Sequence, residues 1–236
     1  MLHVRPSNTR GYADHGWLQS FHSFSFAGYY DPAHMGYSVL RVINDDKVAP
    51  AKGFGMHGHQ DMEIITYMLA GELRHTDSMG NTSVIRAGDV QRMSAGTGIR
   101  HSEMNASAQT TAHLLQIWIT PDTLGLAPGY EDKTIALTDK QNRWALIASP
   151  DAQHESLKVH QDMSLYTTVL DADLSLPITV TEGRCAYVHI ARGEVEIDGQ
   201  RLQAGDALKV DTVSALTMGA VSNSEVLWFD LPQHFE

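Results

Sequence analysis

Cys185 is the single cysteine of the chain, so nothing is present for it to pair with in an internal disulfide. A chain with one thiol fits a reducing compartment, and a cytoplasmic protein is expected. The flanking Ala186-Tyr187-Val188 read as strand, which makes Cys185 a small buried apolar side chain rather than a reactive thiol. Basic charge is also scarce: 17 Lys and Arg face 28 Asp and Glu, for a formal net charge of −11. No Lys/Arg run interrupts that balance. An acidic surface repels phosphate, so direct nucleic-acid binding is not expected. No apolar run approaches the roughly 20 residues that cross a bilayer. The first residues, Met1-Leu2-His3-Val4-Arg5-Pro6, contain no apolar core of a secretion signal. A soluble protein without membrane contact is expected.

What the chain does contain is short strands and turns. Hydrophobic residues make up 42% of the 236, with 19 glycines and 8 prolines, enough for one large β domain or two of ordinary size. Residues 1–35, rich in His, Gly and aromatics, read as irregular. Strand signals follow at 37–43, 62–69, 72–75, 83–86, 90–93, 100–104 and 113–119. The segments Asn44-Asp45-Asp46, 77–81, Ala87-Gly88-Asp89 and 95–98 carry turn residues. A second set of strand signals lies at 144–148, 165–170, 178–181, 186–191, 195–197, 207–210, 215–218 and 226–231. Between the sets, 121–138 holds Pro121, Gly125, Pro128 and Gly129, and domains of 1–125 and 126–236 are expected.

The two sets read as a duplication. Leu69-Ala70-Gly71-Glu72-Leu73 matches Ala191-Arg192-Gly193-Glu194-Val195, and Ala87-Gly88-Asp89-Val90 matches Ala204-Gly205-Asp206-Ala207. Two β-barrels of one design are therefore expected.

Chemistry concentrates in the first copy. In a strand, side chains two residues apart share a face. His57 and His59 can converge on one point, and so can His101 and Glu103. Three imidazoles and a carboxylate suit one divalent transition metal. Burying that set without an ion would leave polar groups unsatisfied. Counting back from Gly193 and forward from Gly205 gives Thr179, Thr181 and Met218 at the corresponding places. Two hydroxyls and a thioether make a poor site, so one ion per chain is expected.

These motifs resemble the cupin superfamily. Its first motif is matched by His57-Gly58-His59 with Glu63 and Gly71 beyond, and its second by Gly88, Ser94-Ala95-Gly96, His101 and Asn105. No Gly stands at the usual place before His57, and His101 comes two residues late. Both departures are similar to the pirin family of bicupins. The resemblance rests on His15-Gly16-Trp17-Leu18, Phe24-Ser25-Phe26-Ala27, Tyr30-Asp31-Pro32 and Leu40-Arg41-Val42-Ile43-Asn44-Asp45-Asp46. It continues through Gly53-Phe54-Gly55-Met56-His57-Gly58-His59, through residues 93–103, through Leu157-Lys158-Val159-His160-Gln161-Asp162 and through 227–232. It is strongest toward bacterial pirin-like proteins with quercetin 2,3-dioxygenase activity.

The resemblance implies an all-β fold of two cupin barrels face to face, with one metal in the N-terminal barrel. The implied ligands are His57, His59, His101 and Glu103. Iron is the first expectation for the ion; copper, nickel, manganese, cobalt and zinc fit the same ligands. Glu63, a ligand in ordinary cupins, becomes a supporting or structural carboxylate here. Glu103 or Glu63 is the expected proton acceptor. Phe54, Met56 and Gln116 are the substrate-binding candidates. Met62, Ile64, Leu115 and Trp118 either line a pocket or fill the core. His22, His34, His75, His113, His154, His160, His189 and His234 lack partners at ligand spacing and read as surface or core histidines. The implied reaction opens the central ring of a flavonol, or another enolic aromatic, with dioxygen and releases carbon monoxide. A second reading is a non-enzymatic redox-sensing partner of transcription factors, and a third is an enzyme with an unrelated substrate. A monomer with room for a protein partner is expected.

Overall fold

The computed structural model describes residues 1–233; His234 lies outside them. Strands dominate, arranged as two seven-stranded and two four-stranded sheets. In the first half, strands Asp89–Ser94, Glu63–Ala70, Ala112–Ile119, Leu40–Val48, Leu18–His22 and Gly11–Asp14 run side by side in the large sheet. The small sheet has the order Gly53–His59, Ile99–Asn105, Glu72–Asp77, Thr82–Arg86. The second half repeats both orders, its small sheet being Ser175–Val180, Ser214–Ala220, Glu194–Ile197, Gln200–Gln203. Each half is a cupin barrel. The large sheets face one another through a shared apolar layer, with Ile65, Tyr67, Leu115 and Ile117 from one side and Leu165, Tyr187, Leu227 and Phe229 from the other.

The matched turns are structurally equivalent. Gly71 and Gly193 have φ of +73° and +78°, and Gly88 and Gly205 have φ of +91° and +87°. A Cβ on Gly71 would lie 2.8 Å from the Thr111 carbonyl oxygen, and one on Gly193 2.7 Å from Ser224 Cα. Only glycine tolerates both that backbone and that approach. The repeat follows from this requirement.

Three readings need correction. Residues 1–35 are not irregular: strands Leu2–Arg5, Gly11–Asp14 and Leu18–His22 lie there. A cut at 125/126 does not separate the sheets. Leu2–Arg5 pairs with Ala207–Val210 in the second barrel, while Gly129–Thr134 pairs with Asp89–Ser94 in the first. Each barrel's large sheet thus takes an edge strand from outside its own half. Finally, Asn44-Asp45-Asp46 is the middle of strand Leu40–Val48, not a turn. Its polar side chains alternate between the two faces. Asp45 meets Arg10 at 3.3 Å and His113 at 2.7 Å, whereas Asn44 and Asp46 line the inside of the barrel.

The second barrel's interior is aliphatic. Thr179 and Thr181 are exposed; Ile178 and Val180 occupy the inward positions and pack with Met218, Leu216, Val195 and Ile197. The counted alignment was one residue out on this strand.

Candidate metal centre and substrate cavity

His57 and His59 alternate with Met56 and Gly58 on strand Gly53–His59, at the edge of the small sheet. His101 is directly opposite His57 on the neighbouring strand. The three rings converge, with centroids 4.5–4.9 Å apart. One nitrogen from each lies within 4.8 Å of the others. Met56, on the outward parity, is 48% exposed and stays off the cavity wall, away from the substrate-binding place expected of it.

The protonation pattern suits a cation. His57 Nδ1 lies 2.7 Å from the Gly55 carbonyl oxygen. A carbonyl only accepts, so Nδ1 carries the proton and Nε2 keeps its lone pair. Burial, with the other imidazoles nearby, pushes His59 down to about 4 and His101 to about 3. Both rings are neutral at pH 7. Nε2 of His101 is buried without a hydrogen-bond partner. A buried nitrogen left bare between two other imidazoles fits a metal ligand.

Behind His101 stands a group that the sequence reading passed over. Its Nδ1 faces Nδ1 of His75 at 3.5 Å. His75 Nε2 lies 3.2 Å from Asp77 Oδ2, both side chains being fully buried. Asp77 also accepts from the backbone N–H of Met79 and Asn81 and from the Asn81 amide. Burial opposes its charge, yet these donors and His75 hold its carboxyl below the usual range. Asp77 therefore accepts a hydrogen bond from His75 Nε2–H, His75 Nδ1 accepts from His101 Nδ1–H, and His101 Nε2 is left free for a metal. The ring of His75 is stacked on Tyr130 at 4.4 Å, so the edge strand that crosses from the linker braces this relay. His75-Thr76-Asp77 shows the same two-residue spacing as the His57/His59 pair, which is the signal that could have revealed it.

Glu103 is next to this set but is not part of the histidine triangle. It forms an overlapping group with His75 and His101, again within 4.8 Å. A bulge between His101 and Glu103 sets Glu103 opposite Phe54. Its carboxylate accepts from Gln91 Nε2 at 2.7 Å and from Gln116 Nε2 at 2.8 Å. Thr66 Oγ1 lies 3.2 Å from Glu103 and 2.9 Å from the Gln116 carbonyl oxygen. Burial nonetheless raises Glu103 to about 7, outweighing these three donors. The donors belong to a polar row that crosses five strands in register: His22, Asn44, Gln116, Thr66 and Gln91.

Glu63 is elsewhere. A turn with Asp61 at φ +48° separates it from His59 and resets the strand parity. Thr66 faces the inside of the barrel, whereas Glu63, Ile65 and Tyr67 face the second barrel. Glu63 accepts from Ser94 Oγ at 3.0 Å and pairs with His160 Nδ1 at 3.3 Å. It is absent from the cavity wall. Its expected catalytic role is therefore replaced by a tie between barrels, with His160 as the partner that the sequence reading left unpaired.

A cavity of about 870 Å³ opens beside the histidines. Phe54 and Gln116 line it as expected, together with His57, His59, Glu103 and Trp118. Trp118 meets His59 edge-on at 5.0 Å, and Phe54 meets Trp17 at 5.2 Å. Ile64 and Leu115 are core residues.

Two barrels of this order, with a histidine cluster and a hydrogen-bonded carboxylate in one and an aliphatic filling in the other, define a bicupin whose candidate metal-binding residues, among the described residues, lie in the first barrel. Comparison with known proteins narrows this. The family model described as Pirin matches residues 3–119, and one described as Quercetinase C-terminal cupin domain matches residues 146–231. The chain is 49% identical over 233 residues to the quercetin 2,3-dioxygenase of Escherichia coli K12, spanning 98% of this chain and 99% of that one. It is 39% identical to a pirin-like protein of Caulobacter vibrioides, across 98% and 99% of the two chains. The solved structure of the E. coli bacterial pirin YhhW in complex with nickel(II) superposes with a TM-score of 0.94 at 48% identity, over 99% of this chain and all of that one. The chain belongs to the pirin family. No helix among the described residues is long and apolar enough to cross a membrane.

Proposed function

We propose that this protein is a metal-dependent dioxygenase that opens the central ring of flavonols such as quercetin, with His57, His59, His101 and Glu103 as the ligand set. The observation that carries the reading is the bare, buried Nε2 of His101 beside His57 and His59, which line an aromatic cavity large enough for a three-ring substrate. The relative named quercetin 2,3-dioxygenase and the nickel complex of YhhW support it. A bound divalent ion would supply Lewis acidity toward the 3-hydroxyl of the substrate and a place for dioxygen to meet it.

The chain's own residues do the rest. The Glu103 carboxyl, held near neutrality by burial, is matched to accept the 3-hydroxyl proton at pH 7. Gln91 and Gln116 fix both of its oxygens, so it meets the substrate in one orientation. Trp118, Phe54 and Trp17 shield the reacting ring from water. The buried Nε1 of Trp118 has no partner and offers a donor to a substrate oxygen.

Flavonol consumption under air tests the reading. Protein loaded with the ion should turn quercetin over, and the same protein stripped by a chelator should not. Equal rates would exclude the metal from the chemistry. No turnover with any of the candidate ions would favour the non-enzymatic, transcription-cofactor reading.

A further inference from the structure

Two residues along the strand from Asn44 of the polar row, Asp46 is 3% exposed and its Oδ1 is buried without a partner, yet the residue lines the cavity that His57, His59 and Glu103 also line. The positions around it are polar on the same face. Ser20 is directly opposite Asp46 on the neighbouring strand, and His22 is opposite Asn44. His22 Nδ1 contacts Asn44 Oδ1 at 2.7 Å, so Asn44 is already satisfied from that side. Asn44 in turn stands opposite Gln116, which holds Glu103. Asp46 is thus one strand over from Gln116 and two residues along. That is a separation of roughly 8 Å, from strand spacings of about 4.8 Å and a rise of about 3.3 Å per residue. This matches the reach of a fused aromatic ring system rather than of a small acid.

Ser20 offers the carboxyl one donor, but the Oδ1 left without a partner still calls for a hydrogen-bond donor from whatever fills the cavity. With Glu103 on the same cavity, a carboxylate or phosphate ligand would face two acidic groups and be repelled. Trp17, Phe26, Phe54 and Trp118 on the same wall favour an aromatic ligand, and the donor such a ligand brings is a phenolic hydroxyl. We infer that Asp46 is the anchor of a second subsite, one that takes a phenolic hydroxyl remote from the metal-bound end of the substrate. The subsite selects polyhydroxylated aromatics over their less hydroxylated analogues. This rests on the proposed flavonol reading for the orientation of the substrate. The strand neighbours Ser20 and Asn44 place the anchor; they do not replace it.

Binding separates this from the reaction. Nickel-loaded protein is titrated without oxygen against quercetin and against 3-hydroxyflavone, which keeps the 3-hydroxyl and lacks the others. Wild type should bind quercetin at least about tenfold more tightly, the value of one good hydrogen bond in a dry site. Asp46→Leu should remove that preference while leaving the affinity for 3-hydroxyflavone unchanged, and Asp46→Asn, which keeps an acceptor, should restore most of it. Where Asp46→Leu does not fold, Asp46→Ala carries the same comparison. Equal losses for both ligands would mean a structural role and overturn the inference, as would a wild type that binds the two alike. A wild type that prefers quercetin but never consumes it under air removes the proposed reaction and leaves the subsite. One that consumes both compounds with equal affinity does the reverse.

Discussion

The Nδ1 atoms of His75 and His101 face each other at 3.5 Å in the sealed interior of the first barrel. Because Asp77 claims the other nitrogen of His75, the protons on both rings are assigned. His75 keeps His101 in the tautomer that a metal needs. Replacing His75 by Phe keeps the volume and the stacking on Tyr130 but removes the acceptor. Metal affinity should fall by about 10–100-fold, as for other lost partners of ligating histidines. His75→Gln should recover part of it. Calorimetric titration with nickel checks both, and unaltered affinity in His75→Phe would remove the relay.

The two glutamates should separate cleanly. Glu103→Ala should weaken metal binding strongly, and Glu103→Gln should lower flavonol turnover by about 10²–10⁴-fold through loss of the proton acceptor. Glu63→Ala should leave metal content and turnover within a few-fold of wild type. Its cost is in stability, about 1–3 kcal/mol, because Ser94 and His160 lose a buried acceptor. If Glu63→Ala empties the site while Glu103→Ala leaves it full, the ligand assignment is wrong.

Stoichiometry follows from the contrast between barrels. Ile178, Val180 and Met218 fill the second barrel where the first has histidines. Elemental analysis should find one transition-metal ion per chain, lost in His57→Ala, His59→Ala and His101→Ala. Two tightly held ions would contradict this.

His189 gives stability a pH dependence. It is fully buried in the second barrel, and both ring nitrogens lack partners. Burial, with the Arg10 charge, holds it down at about 4. A depressed folded-state value means that its contribution is complete above the unfolded value of about 6.5 and is lost as pH falls toward 4. Between pH 7.5 and 5 wild type should lose roughly 2 kcal/mol more than His189→Leu, at about 1.4 kcal/mol per pH unit below 6.5. Urea unfolding at the two pH values measures it; parallel losses in both proteins would show that His189 does not titrate as described.

Much of this molecule was legible before folding. Gly71, Gly88, Gly193 and Gly205 marked the repeat because their positive φ leaves no other choice. The histidine triangle was legible because strand parity is rigid over two residues. Parity failed at Glu63, where the left-handed Asp61 resets it, and at Thr179, one residue out of step. Asn44-Asp45-Asp46 read as a turn because local propensity cannot see the partners that a barrel interior supplies. The strands within residues 1–35 were missed for a related reason. Leu2–Arg5 has its partner about two hundred residues away, at Ala207–Val210.

Carbon monoxide is the most direct readout of the proposed chemistry. Metal-loaded protein supplied with quercetin in air should release one molecule of carbon monoxide for each flavonol consumed, trapped and counted by a haem protein. The chelated protein and His59→Ala should release none. Flavonol loss without carbon monoxide, or release that persists in the metal-free protein, would contradict a ring-opening dioxygenase at this site.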